Sequence, residues 1–111
     1  MCGIVACLGN YKNISKTLYE SLKQLQNRGY DSVGISVHTG QIIITEKCAS
    51  REKKPALKQI KKRLDRLVGI VGMGHTRWAT HGGKSERNSH PHFDNSGLFG
   101  VVHNGIIENY K

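Results

Sequence analysis

The sequence predicts an α+β fold. Short apolar runs bounded by turn residues indicate strands, and apolar residues at three- and four-residue spacing indicate helices. The two kinds of segment are mixed along 111 residues, which is enough for one domain. Two of the predicted strands end in clusters of polar side chains, and such clusters on a rigid scaffold are typical of functional sites.

The first half of the chain contains three predicted strands and one helix. In order, they are a strand at 3–9, a helix over roughly 14–27, and strands at 32–38 and 41–47. Asn13 or Ser15 is suited to cap the helix. A tight turn at Thr39-Gly40 joins the second and third strands.

The second half contains a basic helix and two strands separated by a polar loop. In order, they are a helix from Pro55 to about Val68, a strand at 69–77, a loop at 79–96 and a strand at 97–104. The helix carries Leu57, Ile60, Leu64 and Leu67 on one side. An irregular loop as long as 79–96 is uncommon in a small domain unless it is functional.

The net charge of +9 raises the question of a nucleic-acid partner. Much of the charge lies between Arg51 and Arg66, within the predicted basic helix. A solvated helix face explains this pattern better than a nucleic-acid surface, because no aromatic residues alternate with the charges. We therefore expect no specific nucleic-acid partner.

Other classes of protein are also disfavoured. No apolar run approaches the ~18 residues needed to span a bilayer, and no signal peptide is visible, so we expect a cytoplasmic protein without membrane contact. The three cysteines Cys2, Cys7 and Cys48 do not suggest a disulfide framework. His90 and His92 are the nearest approach to a metal-binding pair, and we expect neither a metal nor a cofactor.

Cys2 is the first candidate for chemistry. A small residue follows the initiator Met1, so methionine removal would leave Cys2 at the amino terminus. An α-amine has an ordinary pKa of about 8, and it can act as the general base for the thiol of the same residue. Taken alone, however, Cys2 is better explained as a small buried apolar residue at the start of a strand.

Five motifs place Cys2 in a wider pattern. They are MCGIV at 1–5, RGYDSVGI at 28–35, GHTRWATHG at 74–82, NSHPH at 88–92 and VVHNGIIEN at 101–109. Together they resemble the class II glutamine amidotransferases, which use an N-terminal cysteine nucleophile, and most closely the glucosamine-6-phosphate synthase branch. The resemblance runs the length of the chain and implies the first part of an N-terminal-nucleophile hydrolase αββα sandwich.

The resemblance also implies roles for individual residues, with L-glutamine as substrate. Cys2 would be the nucleophile, Asn104 and Gly105 the oxyanion hole, and Arg77 the ligand of the α-carboxylate. Trp78, Thr80 and His81 would line the pocket, Arg28 and Gly29 would hold the terminal amine, and His90 would lie in the loop that closes over the substrate. Singly, these residues have ordinary interpretations: Asn104-Gly105 as a hairpin turn, Arg77 as a surface cation and Trp78 as a core aromatic.

Family members continue well beyond position 111, so we expect residues 1–111 to be a partial type 2 glutamine amidotransferase domain without sugar-isomerase domains. An aspartate that binds the α-amine of glutamine has no counterpart here, and Gly83-Lys84 replaces a proline-containing turn. We expect unpaired strand edges and uncovered apolar faces. The alternatives to a glutaminase are an inactive remnant and a half-domain completed by a partner chain that supplies the remainder.

Overall fold

A computed structural model of the chain describes residues 1–9 and 13–111. In these residues, two helices pack on a four-stranded antiparallel sheet, which confirms the α+β prediction. The strands are β1 (Gly3–Leu8), β2 (Ser32–His38), β3 (Ile43–Ala49), β4 (Val71–Arg77), β5 (His92–Phe93) and β6 (Gly100–Val101), and the helices are α1 (Ile14–Gln24) and α2 (Ala56–Lys61).

The order of strands in the main sheet is β1-β4-β2-β3, so β4 is an inner strand. Gly3 pairs with Thr76, and Ser32 pairs with Arg77. Because these pairs are antiparallel, the beginnings of β1 and β2 and the end of β4 lie at one end of the sheet. This register brings Cys2, just before β1, close to the polar residues that follow β4.

The core lies between this sheet and the two helices. Apolar side chains on one side of each helix meet the helix-facing side of β2, as the helical spacing predicted. The buried set is Ile14, Leu18, Tyr19 and Leu22 from α1, Val33, Ile35 and Val37 from β2, Cys48 from β3, and Ala56, Ile60 and Leu67 from α2 and the turn after it. Neither helix has the length or the apolar character that a membrane crossing requires.

The opposite face of the sheet is only partly covered. The side-chain Nζ of Lys47, on β3, donates to the carbonyl oxygens of Ser89 at 2.8 Å and Pro91 at 3.2 Å. These bonds hold the end of the polar loop against the sheet, and β5 then pairs with β6 as a separate two-stranded ribbon. The loop thereby places His90 and His92 beside His75 of β4.

Both helices end earlier than the sequence predicted. Helix α1 stops at Gln24 and a single 3₁₀ turn covers Gln26–Arg28, whereas one helix was predicted to about residue 27. Asn13 occupies the cap position, but its side chain makes no capping hydrogen bond. The basic helix is shorter than predicted, because α2 ends at Lys61 and a 3₁₀ turn at Leu64–Arg66 completes the segment.

Two strands also differ, and local turns give the reason. The Oγ1 of Thr39 accepts from the backbone N–H groups of Gln41 and Ile42 at 3.2 Å, which extends the turn and delays β3 to Ile43. The strand predicted at 97–104 is wrong except at Gly100–Val101. The carboxylate of Asp94 accepts from the backbone N–H groups of Ser96 and Phe99 at 3.0 Å, so the chain turns where a strand was expected.

Candidate active site

A cavity of about 400 Å³ opens at the end of the sheet where β1 begins and β4 ends. This volume suits a small metabolite. Its lining is formed by Cys2, Arg77, Trp78, Thr80, His81, Gly82, Asn88, His90, His92, His103, Gly105, Ile106, Ile107 and Tyr110. Within the described residues, the lining contains a thiol, a guanidinium and several imidazoles but no carboxylate.

Cys2 is half-buried, and backbone groups surround its thiol. The N–H of Trp78 donates to Sγ at 3.3 Å, and Sγ lies 3.7 Å from the carbonyl oxygen of Trp78. The end of β4 therefore places a backbone hydrogen-bond donor directly against the Cys2 sulfur.

The carbonyl oxygen of Cys2 is held by two side chains. It accepts from Arg28 Nε at 3.4 Å and from Asn104 Nδ2 at 3.1 Å. Arg28 therefore contacts the first two residues of the chain. Its described contacts are with the Cys2 carbonyl oxygen and the Met1 sulfur, and not with the terminal amine that the resemblance implied. In this structure Met1 is present, so the nitrogen of Cys2 is in a peptide bond.

Arg77 is almost completely buried at the end of β4. Its guanidinium donates to the carbonyl oxygen of Gly83 at 3.0 Å and to that of His81. These bonds fold the loop after β4 back over the strand. A guanidinium has five N–H donors, so several remain for a carboxylate in the cavity.

Gly29 lies behind Arg77 and permits a close approach of two backbones. A Cβ at this position would lie 2.6 Å from the carbonyl carbon of Arg77, which is too close for any side chain. The backbone N–H of Asp31 then donates to the Arg77 carbonyl at 3.0 Å. The segment before β2 therefore fixes the backbone that carries Arg77.

Asp31 connects the same segment to the loop after β4. Its buried carboxylate accepts from the backbone N–H of Ala79 at 2.7 Å and from Lys84 Nζ at 2.8 Å. Burial alone would raise the pKa of Asp31, but the hydrogen bonds from Lys84 and Ala79 lower it below its usual value. Lys84, which stands where a proline-containing turn was expected, thus has a structural contact of its own.

Three histidine rings lie in contact beside the cavity. The rings of His75 and His90 are 4.4 Å apart between centroids with 31° between their planes, and the rings of His90 and His92 meet edge to face at 4.4 Å. Burial, followed by the nearby His75, His92, Arg77 and Lys47, lowers the pKa of His90 to about 4. Burial also lowers the pKa values of His75 and His92, so the three rings are uncharged at neutral pH. In the part of the chain that the structure describes, no group of three His, Cys, Asp or Glu side chains is arranged to hold a metal ion.

Asn104 and Gly105 follow β6 without forming a hairpin. Gly105 has φ of +153°, a conformation that favours glycine, and a Cβ there would meet the His103 ring at 2.9 Å. Gly105 lines the cavity, and Asn104 reaches Cys2 as described above.

The structure brings together the residues that the sequence motifs singled out. Cys2, Arg77, Trp78, Thr80, His81, His90 and Gly105 line the cavity, Arg28 and Asn104 contact the Cys2 carbonyl, and Gly29 supports Arg77. The pocket walls also include Asn88 and Tyr110, which the sequence analysis missed. It missed Asp31 as well, and it placed His75 in the polar cluster at the end of a predicted strand without giving it a role.

Comparison with known proteins finds homologues along the whole chain. The chain is 47% identical to a glutamine–fructose-6-phosphate aminotransferase from Clostridium tetani, 49% to one from Caldanaerobacter subterraneus and 45% to one from Methanococcus maripaludis, over 99%, 99% and 100% of its length. The chain is a homologue of the N-terminal part of the glutamine–fructose-6-phosphate aminotransferases. It spans 17% to 18% of the length of these relatives and matches their N-terminal domain. No protein-family model matches the chain.

A solved structure supports the fold assignment. The glutamine phosphoribosylpyrophosphate amidotransferase from B. subtilis, complexed with ADP and GMP, superimposes with a TM-score of 0.65. The match covers 79% of this chain and 18% of that protein at 22% identity. At this identity the likeness concerns the fold alone, and it confirms the predicted N-terminal-nucleophile hydrolase fold.

Proposed function

We propose that Cys2 hydrolyses the side-chain amide of L-glutamine in the cavity and releases ammonia. The observation that carries this proposal is the position of the Cys2 thiol in a cavity of about 400 Å³, with the N–H of Trp78 at 3.3 Å from sulfur and Arg77 in the same wall. In the complete enzymes of this family, the ammonia would be used to form glucosamine 6-phosphate from fructose 6-phosphate. Residues 1–111 would form part of a type 2 glutamine amidotransferase domain, and a cytoplasmic location stays a prediction.

The reaction would be an acyl transfer through a thioester. The α-amine of Cys2 takes the proton of the thiol, and the resulting thiolate attacks the amide carbon. The oxyanion that forms is stabilised by the Asn104 side chain and the Gly105 N–H. The carbon–nitrogen bond then breaks, and ammonia leaves after gaining a proton from the α-amine of Cys2. Water attacks the glutamyl thioester, which gives glutamate and regenerates the thiol. The α-amine is available only if Met1 is removed.

Arg77 would bind the α-carboxylate of glutamine, with Trp78, Thr80 and His81 along the side of the substrate. The guanidinium is fixed by the carbonyl oxygens of His81 and Gly83, so it is already oriented before binding. His90 would close the far side, held to the sheet through the loop that Lys47 binds.

The test is steady-state glutamate release from glutamine by the 111-residue chain, beside a Cys2→Ala control. We expect release in the wild type only, together with an intact mass that shows loss of Met1. Equal release by both chains would contradict a role for Cys2. Absence of release from a folded and processed wild type would contradict the proposal for this chain alone.

A second function is favoured by one feature of the cavity. Within the described residues its lining has no carboxylate to bind the α-amine of glutamine, and Ile106, Ile107 and Tyr110 are exposed at its mouth. A half-domain completed by a partner chain that carries the remainder would cover these side chains. Co-expression with that remainder, taken from a full-length relative, would then produce Cys2-dependent glutamate release that the 111-residue chain alone lacks.

A further inference from the structure

His75 makes a direct contact with the proposed oxyanion hole. It lies on the inner strand β4 and is 1% exposed. Its Nε2 is 2.8 Å from Oδ1 of Asn104. None of the family roles considered above includes this histidine, although it is the side chain nearest to the amide oxygen of Asn104 in the described hydrogen bonds.

The hydrogen bond between Asn104 and Cys2 determines which atom donates in the hydrogen bond between Asn104 and His75. Asn104 Nδ2 lies 3.1 Å from the carbonyl oxygen of Cys2. A carbonyl oxygen only accepts, so the NH₂ group of Asn104 must face Cys2 and its oxygen must face His75. His75 Nε2 therefore carries a proton and donates it to Asn104 Oδ1.

Asn104 has little else to orient it. It is exposed and follows β6 in a segment that forms neither helix nor strand. Within the described residues, His75 and the Cys2 carbonyl are the partners of its side chain. Without the His75 donor, only the Cys2 carbonyl would hold the amide against rotation. A rotated amide would present its oxygen to the substrate and repel the developing oxyanion.

His75 is itself rigidly placed. Its backbone pairs with Ile4 of β1 and Gly34 of β2, and the His90 ring lies against its ring with centroids 4.4 Å apart. Burial lowers its pKa, so the ring stays neutral at pH 7. The sheet therefore presents a single fixed donor to a side chain on a loop.

We propose that His75 is a positioning residue that directs the NH₂ group of Asn104 toward the oxyanion formed at Cys2. This inference rests on the proposed glutaminase function. His75 touches neither Cys2 nor the cavity in the described contacts, so it acts through Asn104. We therefore expect His75 to stabilise the transition state and to contribute little to the binding of glutamine.

The kinetic test compares His75→Leu with His75→Gln. Leucine removes the donor, whereas the amide of glutamine can place an N–H near the position of Nε2. We expect kcat to fall about 10- to 100-fold in His75→Leu with KM changed less than about 3-fold, because loss of a whole oxyanion donor costs ~10²–10³. His75→Gln should recover most of kcat. Met73→Leu, on the same strand and the same sheet face, is the matched control and should retain activity.

Two further measurements separate this inference from the proposed function. Alkylation of Cys2 by iodoacetamide involves no oxyanion, so its rate should be the same in His75→Leu and the wild type. Long-range proton–nitrogen NMR of the wild-type chain should show His75 protonated at Nε2, with a changed Nε2 signal in Asn104→Ala.

Each outcome decides between the two ideas. A Nδ1-protonated His75, a signal that does not respond to Asn104→Ala, or equal kcat losses in the leucine and glutamine variants would overturn the positioning role while wild-type activity stands. A wild type without Cys2-dependent glutamate release would instead overturn the proposed function. The proposed role of His75 in catalysis would then be overturned as well.

Discussion

At the scale of single residues, Arg77 is suited to two simultaneous contacts that a lysine side chain could not both make. Its guanidinium holds the carbonyl oxygens of His81 and Gly83, and in our proposal it also binds the glutamine α-carboxylate. Lysine keeps the charge but loses the planar fork. We expect Arg77→Lys to raise KM for glutamine about 10- to 100-fold, the loss typical of a charge-assisted hydrogen bond, in steady-state assays of glutamate release.

The control for this substitution is Arg87→Lys. Arg87 is an exposed arginine of the same loop, and the described side-chain hydrogen bonds do not involve it. Its KM should equal that of the wild type. An unchanged KM in Arg77→Lys would mean that the carboxylate is bound elsewhere.

Individual residues also show why part of the site was predictable. Cys2, Arg77 and Asn104 were singled out because each stands in a motif of recognisable order, and the structure places all three at one end of the sheet, while their roles stay predictions. His75 was placed in a polar cluster without a role, because its contact is with a residue 29 positions away. Asp31 was missed for the same reason, since its partners Ala79 and Lys84 become neighbours only after β2 and β4 pair.

At the scale of secondary-structure elements, the three histidines in contact make the fold sensitive to acid. His90 has a pKa of about 4 in the folded chain and an ordinary value of 6.5. The unfolded chain therefore binds protons first, and stability present above pH 6.5 is lost as pH falls toward 4. The shift corresponds to about 3 kcal/mol at most, and solvent screening of the half-buried ring reduces this to roughly 1–2 kcal/mol.

Urea unfolding at several pH values measures this effect. We expect the free energy of unfolding to decrease between pH 6.5 and 4 in the wild type, and the decrease to be smaller in His90→Gln. The control His81→Gln replaces an exposed histidine and should keep the wild-type slope. A slope that His90→Gln leaves unchanged would place the acid sensitivity elsewhere, with His75 and His92 as the next candidates because burial lowers their pKa values too.

The elements themselves were predicted with uneven success. Strands β1, β2 and β4 and helix α1 follow strong apolar patterns and were found close to their predicted positions. The segment 97–104 has a strand-like pattern, but the Asp94 carboxylate binds the N–H groups of Ser96 and Phe99 and turns the chain. A side chain that competes for backbone donors is invisible to a pattern of apolar residues.

At the scale of the whole molecule, the helices cover one face of the sheet and leave much of the other face open. Leu8 is 79% exposed at the end of β1, and Ile4 and Val71 are also exposed on this face. A second cavity of about 440 Å³ lies here and is lined largely by apolar side chains, including Leu8, Val71 and Met73. Large exposed apolar patches on a folded chain promote association, and the uncovered faces expected from the sequence are present.

The open face of the sheet predicts that substitutions there change self-association of the chain without changing its free energy of unfolding. We expect the double variant Leu8→Lys/Val71→Thr to self-associate less in sedimentation velocity, because a lysine on the edge strand β1 disfavours contact between sheets. Its free energy of unfolding should stay within about 0.5 kcal/mol of the wild type, since both side chains are exposed. The contrasting variant Leu22→Ala removes a completely buried side chain of α1 and should cost about 2–5 kcal/mol. If the double variant instead lost as much stability as Leu22→Ala, the face would be packed against something in solution, and the sheet could not be regarded as open.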